Sequence, residues 1–191
     1  MSNYFSYFPT TQHDLTNIGQ NVELTNIIRR FKIKNSLSTD TRVYEDYDIQ
    51  AGERPDTVAD KFYNDPNYAW LILLFNDIDD PVFGWPLFNN DFDNFIIGKY
   101  GSIASAQGTV HEYRKVLNPK SVKFDGRIIE KRTVTIDLTT YNTLGASLRE
   151  SISEYDYEEE VNESKRKIKI LHERYLTNVS KQVKGILKDG V

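Results

Sequence analysis

The chain has 191 residues, of which 27% are charged and 39% hydrophobic, with no cysteine and a formal charge of −4. Disulfides, thiolate catalysis and thiolate metal sites are thereby excluded, and the acidic balance speaks against a protein that tracks nucleic-acid phosphates. Twelve Tyr and ten Phe raise the aromatic share to 13%, and such rings supply large contact areas at low entropic cost, as a protein with many protein contacts requires.

The opening stretch MSNYFSYFPTTQHDL lacks the basic start and apolar core of an export signal, and no apolar run reaches the ~20 residues that span a bilayer. A soluble protein assembled in a reducing cytoplasm is expected. Residues 1–42 read as an extended arm whose rings Tyr4, Phe5, Tyr7 and Phe8 precede Pro9. Further on, LTNIIRRFKI has the spacing of a short amphipathic helix, with Thr25 or Asn26 as cap and Ile27, Ile28 and Phe31 on its apolar side. So short an arm cannot bury its own rings, so they pack on the following domain or on another chain.

From Val43 the pattern sharpens. VYEDYDI alternates as a strand does, with Val43, Glu45, Tyr47 and Ile49 on one face, and Gln50-Ala51-Gly52 is a turn. Pro55 suits the first turn of a helix, where its missing N–H is not needed, and Asp56 complements the helix dipole. Val58, Ala59, Phe62 and Tyr63 make one helical face before Asn64-Asp65-Pro66 ends it. A second helix runs from Pro66 through Phe75. Its stripe of Tyr68, Leu71, Ile72 and Phe75 is flanked by Trp70, Leu73 and Leu74, so it is apolar nearly all round and predicts burial on several sides. Each such side chain contributes roughly 1.5–3 kcal/mol when buried. Asn76 reads as a left-handed terminator. Pro81, Gly84 and Pro86 then stiffen a turn that would present Trp85 to a partner's pocket at little ordering cost.

The spacing predicts a short helix over 88–100, with Phe92, Phe95, Ile96 and Tyr100 on one side. Residues 101–108 are small and polar and read as a linker or exposed loop. EYRKVL, SVKFDGRII and RTVTIDL are β-rich, and Asp125-Gly126 marks a hairpin. After Tyr155 a short helix, an extended link at KIKIL and a final helix over Glu173 to Leu187 are expected, the last with a stripe of Leu176, Val179, Val183, Ile186 and Leu187.

Catalytic signals are sparse. His13, His111 and His172 stand alone, without a second ligand type at helical spacing, and the nucleophile-elbow, P-loop, dinucleotide and zincin motifs are all missing. Asp77, Asp79 and Asp80 lack the glycine and distal glutamate of a calcium loop and read as a solvated turn. The basic run 165–169 is offset by Glu158, Glu159 and Glu160, as on a solvated helix face.

Two resemblances stand on specific residues. YDIQAGERPDTVADKFYNDPNYAWLILLFNDI resembles a LysM module in its strand, turn, paired helices and terminal Asn76-Asp77-Ile78. The matching core positions are Tyr47, Gly52, Ala59, Tyr63, Trp70, Leu74, Asn76 and Ile78. That family continues into a second strand where this chain has DDPVFGWPL, and Glu53-Arg54 replaces its usual Asp-Thr. Both departures alter the walls of the glycan groove that the family implies, between the first turn and the loop after the second helix. A wider likeness, carried by ILLFNDIDDPVFGWPL, FDNFIIGKYG and YDYEEEVNESKRKIKIL, covers about residues 1–180. It resembles the LysM-bearing baseplate wedge proteins of contractile-tailed, T-even-like bacteriophages.

The second resemblance implies a structural subunit of the virion tail baseplate, assembled in the host cytoplasm, that clamps wedge subunits and joins neighbouring wedges around the central hub. It implies no catalysis, no cofactor, and neither nucleic acid nor membrane as partner. The expected protein-binding residues are Tyr4, Phe5 and Phe8 of the arm, Phe83, Trp85 and Pro86 of the stiff turn, and Tyr155 and Tyr157 of the C-terminal segment. The module alone implies the alternative of a peptidoglycan-binding LysM protein. The expected fold is α+β: a LysM-like βαα core over 43–101, the arm over 1–42, and a small β-rich and helical region over 102–191.

Overall fold

Gly52 lies at φ +80°, the left-handed region that costs glycine nothing, and there the chain turns out of β3 (Tyr44–Asp48) toward α1 (Pro55–Tyr63). A computed structural model describes residues 4–15, 17, 19–28 and 41–189. As the sequence predicts, α1 starts on Pro55 with Asp56 in its first turn, and the Thr57 hydroxyl accepts the Arg54 N–H at 2.8 Å. Asn64 ends the helix in the left-handed conformation, φ 52°, with its N–H bonded to the Asp60 carbonyl. The carboxylate of Asp65 then accepts the Asn67 N–H at 2.9 Å and starts a 3-10 turn, Pro66–Tyr68, that runs into α2 (Ala69–Phe75).

Asn76 departs from its expected role. Its φ is −103°, and the left-handed residue is Asp77 at φ 53°. The Asn76 side chain is otherwise engaged: its amide nitrogen donates to the carbonyls of Ile72 (2.8 Å) and Lys169 (2.9 Å), and its oxygen accepts the Lys169 N–H at 2.7 Å. These bonds hold β9 (Lys167–Leu171), which pairs antiparallel with β3, Tyr44 opposite Leu171 and Asp48 opposite Lys167. The KIKIL segment therefore supplies the partner strand of β3. Ile168, Ile170 and Leu171 are buried together with Ile49, Val58, Ala59, Leu71, Ile72 and Phe75, and the buried Tyr63 hydroxyl donates to the Leu171 carbonyl at 2.9 Å.

α7 (Glu173–Asp189) follows β9 directly. Its Val183 and Leu187 are buried with Tyr7 and Phe8, while Tyr4, Trp70 and Val179 pack around them; Ile186, expected on the same stripe, is exposed. Tyr4 stacks on Trp70 with ring centres 5.0 Å apart. Tyr4, Tyr7 and Phe8 of the arm thus pack on their own chain. Residues that follow them form a hairpin that the sequence does not announce, β1 (Thr10–His13) antiparallel to β2 (Val22–Thr25), so Thr25 ends a strand instead of capping a helix. Ile27 and Ile28 are exposed, and Phe31 lies outside the described residues.

Two units result, one running to Pro86 and resuming at Lys165, the other Leu87–Ser164. These bounds differ from the segments 1–42, 43–101 and 102–191 because β3 closes the first unit with a strand from far along the chain. In the second unit, Gly101 at φ 83° ends α3 (Asn90–Tyr100), and the Ser102 hydroxyl accepts the Ser105 N–H at 3.1 Å to start α4 (Ile103–Gly108). The segment read as a linker is therefore a helix; its small side chains let Ala106 pack fully buried against Phe92 and Ile96. A three-stranded antiparallel sheet follows, with β4 (Val110–Asn118) between β7 (Arg132–Ile136) and β8 (Arg149–Ser153). A hairpin, β5 (Ser121–Val122) with β6 (Ile128–Ile129), joins β4 to β7 and brackets the Asp125-Gly126 turn. The helices α5 (Leu138–Thr143) and α6 (Glu154–Ser164) flank β8 in sequence, and the Asn162 amide of α6 grips Leu87 by both main-chain groups at 2.8 Å. Among the described residues no helix is long and apolar enough to cross a membrane.

Asn76→Ala should destabilise the first unit by about 2–4 kcal/mol, since it strands main-chain groups of β9 without partners. Both tryptophans, Trp70 and Trp85, lie in this unit, so urea unfolding followed by their fluorescence reads it selectively. An unchanged midpoint would show that the amide does not hold β9.

Candidate protein-binding surfaces

The Asp80–Pro86 turn is built from the inside. The Asp80 carboxylate accepts the N–H groups of Val82 (2.8 Å) and Phe83 (3.2 Å), and the Gly84 N–H donates to the Asp80 carbonyl at 2.8 Å. A β-carbon on Gly84 would stand 2.5 Å from that carbonyl oxygen and 2.8 Å from the Ile78 side chain, so the turn closes only around glycine. Trp85 is 5% exposed and Pro86 is buried, which corrects the expectation that both face a partner. The reason is a bond: the indole N–H donates to the Glu53 carbonyl at 2.8 Å, tying the turn to the β3–α1 connection. Outward display falls to Phe83, 56% exposed, and to its neighbour Val82, 61% exposed.

Glu53 is engaged from both ends. Burial alone would raise its carboxyl, but hydrogen bonds from the Tyr47 hydroxyl, the Gln50 N–H and Lys61 outweigh it and hold the group below its ordinary range. The Lys61 ammonium also sits 4.8 Å over the Tyr47 ring, whose edge meets Phe62. The carboxylate thus fastens a turn. Among the remaining LysM-like positions Ala59 and Tyr63 are buried, while Tyr47, Trp70, Leu74, Asn76 and Ile78 are half-buried.

Of the arm residues, Phe5 alone is well exposed; Phe8 is buried and Tyr4 half-buried against Trp70. In the second unit Tyr155 meets Phe92 edge-on at 5.7 Å, and Tyr157 stacks on His111 at 3.7 Å. Both rings are half-buried and face their own unit. Glu158, on the same helix, is 7% exposed and is met by the Lys99 ammonium at 2.5 Å and the Tyr100 hydroxyl at 2.8 Å. Burial and the hydrogen bonds to Glu158 and Glu154 push the Tyr100 hydroxyl up to about 12. Sequence reasoning missed Glu158 and Asn162 as structural residues, though their i, i+4 spacing on α6 was the available signal. Among the described residues no three His, Asp or Glu side chains gather as a metal site would require.

Polar groups are spent on internal ties here, while Val82 and Phe83 are left outward on an ordered turn, the layout of a structural subunit. Residues 4–186 match the family described as "Base plate wedge protein 53", and the chain belongs to that family of phage baseplate structural subunits. It is similar to the baseplate wedge protein gp53 of Enterobacteria phage T4, at 24% identity over 110 residues. That match spans 56% of this chain and 56% of that protein, so the chain aligns with about half the length of the curated relative.

Trp85→Ala should cost about 3–5 kcal/mol in the first unit, the range for a large buried ring, while Phe83→Ala should stay within about 0.5 kcal/mol. Thermal unfolding read through Trp70 checks the pair, and equal shifts would contradict the assignment of Trp85 to the interior. A carboxyl whose folded value is depressed contributes stability that is present above its unfolded value and lost as pH falls through the folded one. Stability of the first unit should therefore decline on acidification below the ordinary glutamate range, and Glu53→Gln should be less stable near neutrality with a shallower decline. Parallel pH profiles for the two proteins would show that Glu53 has no part in it.

Proposed function

We propose that this chain is a structural clamp of the baseplate wedge, built on a LysM-like βααβ frame and binding other wedge subunits, neighbouring wedges and the central hub. It works in the virion tail after assembly in the host cytoplasm, without catalysis or cofactor. The frame reading is supported by the order β3, α1, α2, β9, by the antiparallel closure of β3 on β9, and by Asn76 at the end of α2.

The observation that carries the proposal is the Trp85–Glu53 bond. In LysM modules the glycan groove lies between the first turn and the loop after the second helix, and here the indole ties those two segments together. A module with that trough filled is suited to rigid contact with protein, through the outward Val82 and Phe83. The βααβ order favours one competing reading, a peptidoglycan binder, which requires an open trough.

Purified wedge subunits assembled without this chain should bind it in sedimentation velocity runs, and Phe83→Ser should weaken that binding at least tenfold at unchanged melting temperature. Murein sacculi should not retain the protein. Retention on sacculi with no association with wedge subunits would replace the clamp by the peptidoglycan reading.

A further inference from the structure

The geometry points to a second docking element, the β5–β6 hairpin of the second unit, which binds an acidic protein surface carrying an apolar pocket. Its tip is ordered by its own bonds. The Lys123 N–H donates to the Arg127 carbonyl at 2.8 Å, the Gly126 N–H to the Lys123 carbonyl at 2.9 Å, and Gly126 takes the left-handed φ of 81° that the turn demands. Asp125 accepts the Arg127 N–H at 3.1 Å and its guanidinium at 2.7 Å. On this pinned turn Phe124 is fully exposed, with Val122 at 69% and Ile128 at 57% beside it. Two-residue strands are too short to bury such side chains themselves. A ring held outward on an ordered turn loses little entropy when it enters a pocket, which is the property of an interface anchor.

The charge around the tip selects the partner. From Lys120 through the hairpin to the start of β7 stand five basic residues, Lys120, Lys123, Arg127, Lys131 and Arg132, against Asp125 and Glu130, in a chain whose total is −4. Arg127 pairs with Asp125, Lys120 lies 3.6 Å from Glu130, and Lys131 pairs with Glu150. Lys123, adjacent to Phe124, has no ion pair among the described residues. A basic rim around an apolar tip is complementary to an acidic rim around an apolar pocket. Nucleic acid fits less well, because three of the five cations are matched locally, the tip carries two aliphatic side chains and one ring, and the acidic remainder of the chain repels a polyanion.

The inference rests on the wedge reading for the identity of the partner, and the test separates the two. The full-length chain and its Phe124→Ser and Lys123→Glu variants are mixed with purified wedge subunits assembled without it, at 100 and 500 mM NaCl. Each variant should bind at least tenfold more weakly at low salt with unchanged melting temperature, Phe124→Tyr should bind nearly as wild type, and high salt should reduce the Lys123→Glu effect. If wild type binds and both variants bind equally well, the hairpin assignment falls while the clamp stands. If wild type itself does not bind, the clamp reading falls and the hairpin assignment with it. Two further outcomes overturn the assignment of an acidic protein partner: self-association of the chain alone that Phe124→Ser abolishes, or binding to a 30-base-pair DNA duplex at 100 mM NaCl that Lys123→Glu abolishes.

Discussion

The antiparallel pairing of Tyr44–Asp48 with Lys167–Leu171 is the constraint on which the first unit depends. A lone strand against two helices would leave its main-chain N–H and C=O groups without protein partners along both edges. KIKIL meets that need with its backbone and fills the interior with Ile168, Ile170 and Leu171. Asn76 makes the choice of strand specific, because its amide reads both the N–H and the carbonyl of Lys169. An amide side chain is well matched to a strand backbone, because it donates and accepts at once, as the backbone does. The same requirement explains why Asn76 does not take the left-handed conformation, which passes to Asp77.

The turn that follows α2 is fixed by a bond to the β3–α1 connection. Main-chain carbonyls near a turn are ordinarily open to water or ligand, and here the Glu53 carbonyl is occupied by an indole of the same chain. Around it, burial opposes the charge on Glu53 and three donors restore it, so the carboxylate stays ionised as a fastening within the turn. The Trp85 ring becomes interior, and the exposed pair Val82 and Phe83 inherits a fixed direction from it. Rigidity of this kind suits a permanent assembly, where a flexible loop would lose entropy at each interface.

How much of this was legible depends on the range of the forces involved. The helix α1 was readable nearly to the residue, because Pro55, Asp56 and Asn64 act on their immediate neighbours. So were α3, the Asp125-Gly126 hairpin and the start of α7 at Glu173. What escaped was long-range or cryptic. KIKIL alternates as a strand does, yet nothing local names β3 as its partner. The small residues of 101–108 resemble a linker until the close approach of Ala106 to Phe92 and Ile96 gives smallness a purpose. Within the Asp80–Pro86 turn, sequence made its stiffness legible but not which ring faces inward. Trp85 and Phe83 differ by an acceptor at the right distance, and that acceptor belongs to Glu53, a residue whose carbonyl carries no signature in the sequence.

Asn162 has a consequence for the order of events in folding. By holding Leu87 through both main-chain groups, it brings the two ends of the second unit side by side. Each doubling of a flexible loop adds about 0.6 kcal/mol to the cost of closing it. Once residues 87–164 have formed, the excursion between α2 and β9 shortens to residues 76–86 and 165–166. A side chain that staples the ends of the insert thus lowers the closure cost between two strands outside its own unit, and a long detour in sequence becomes a shorter one in space.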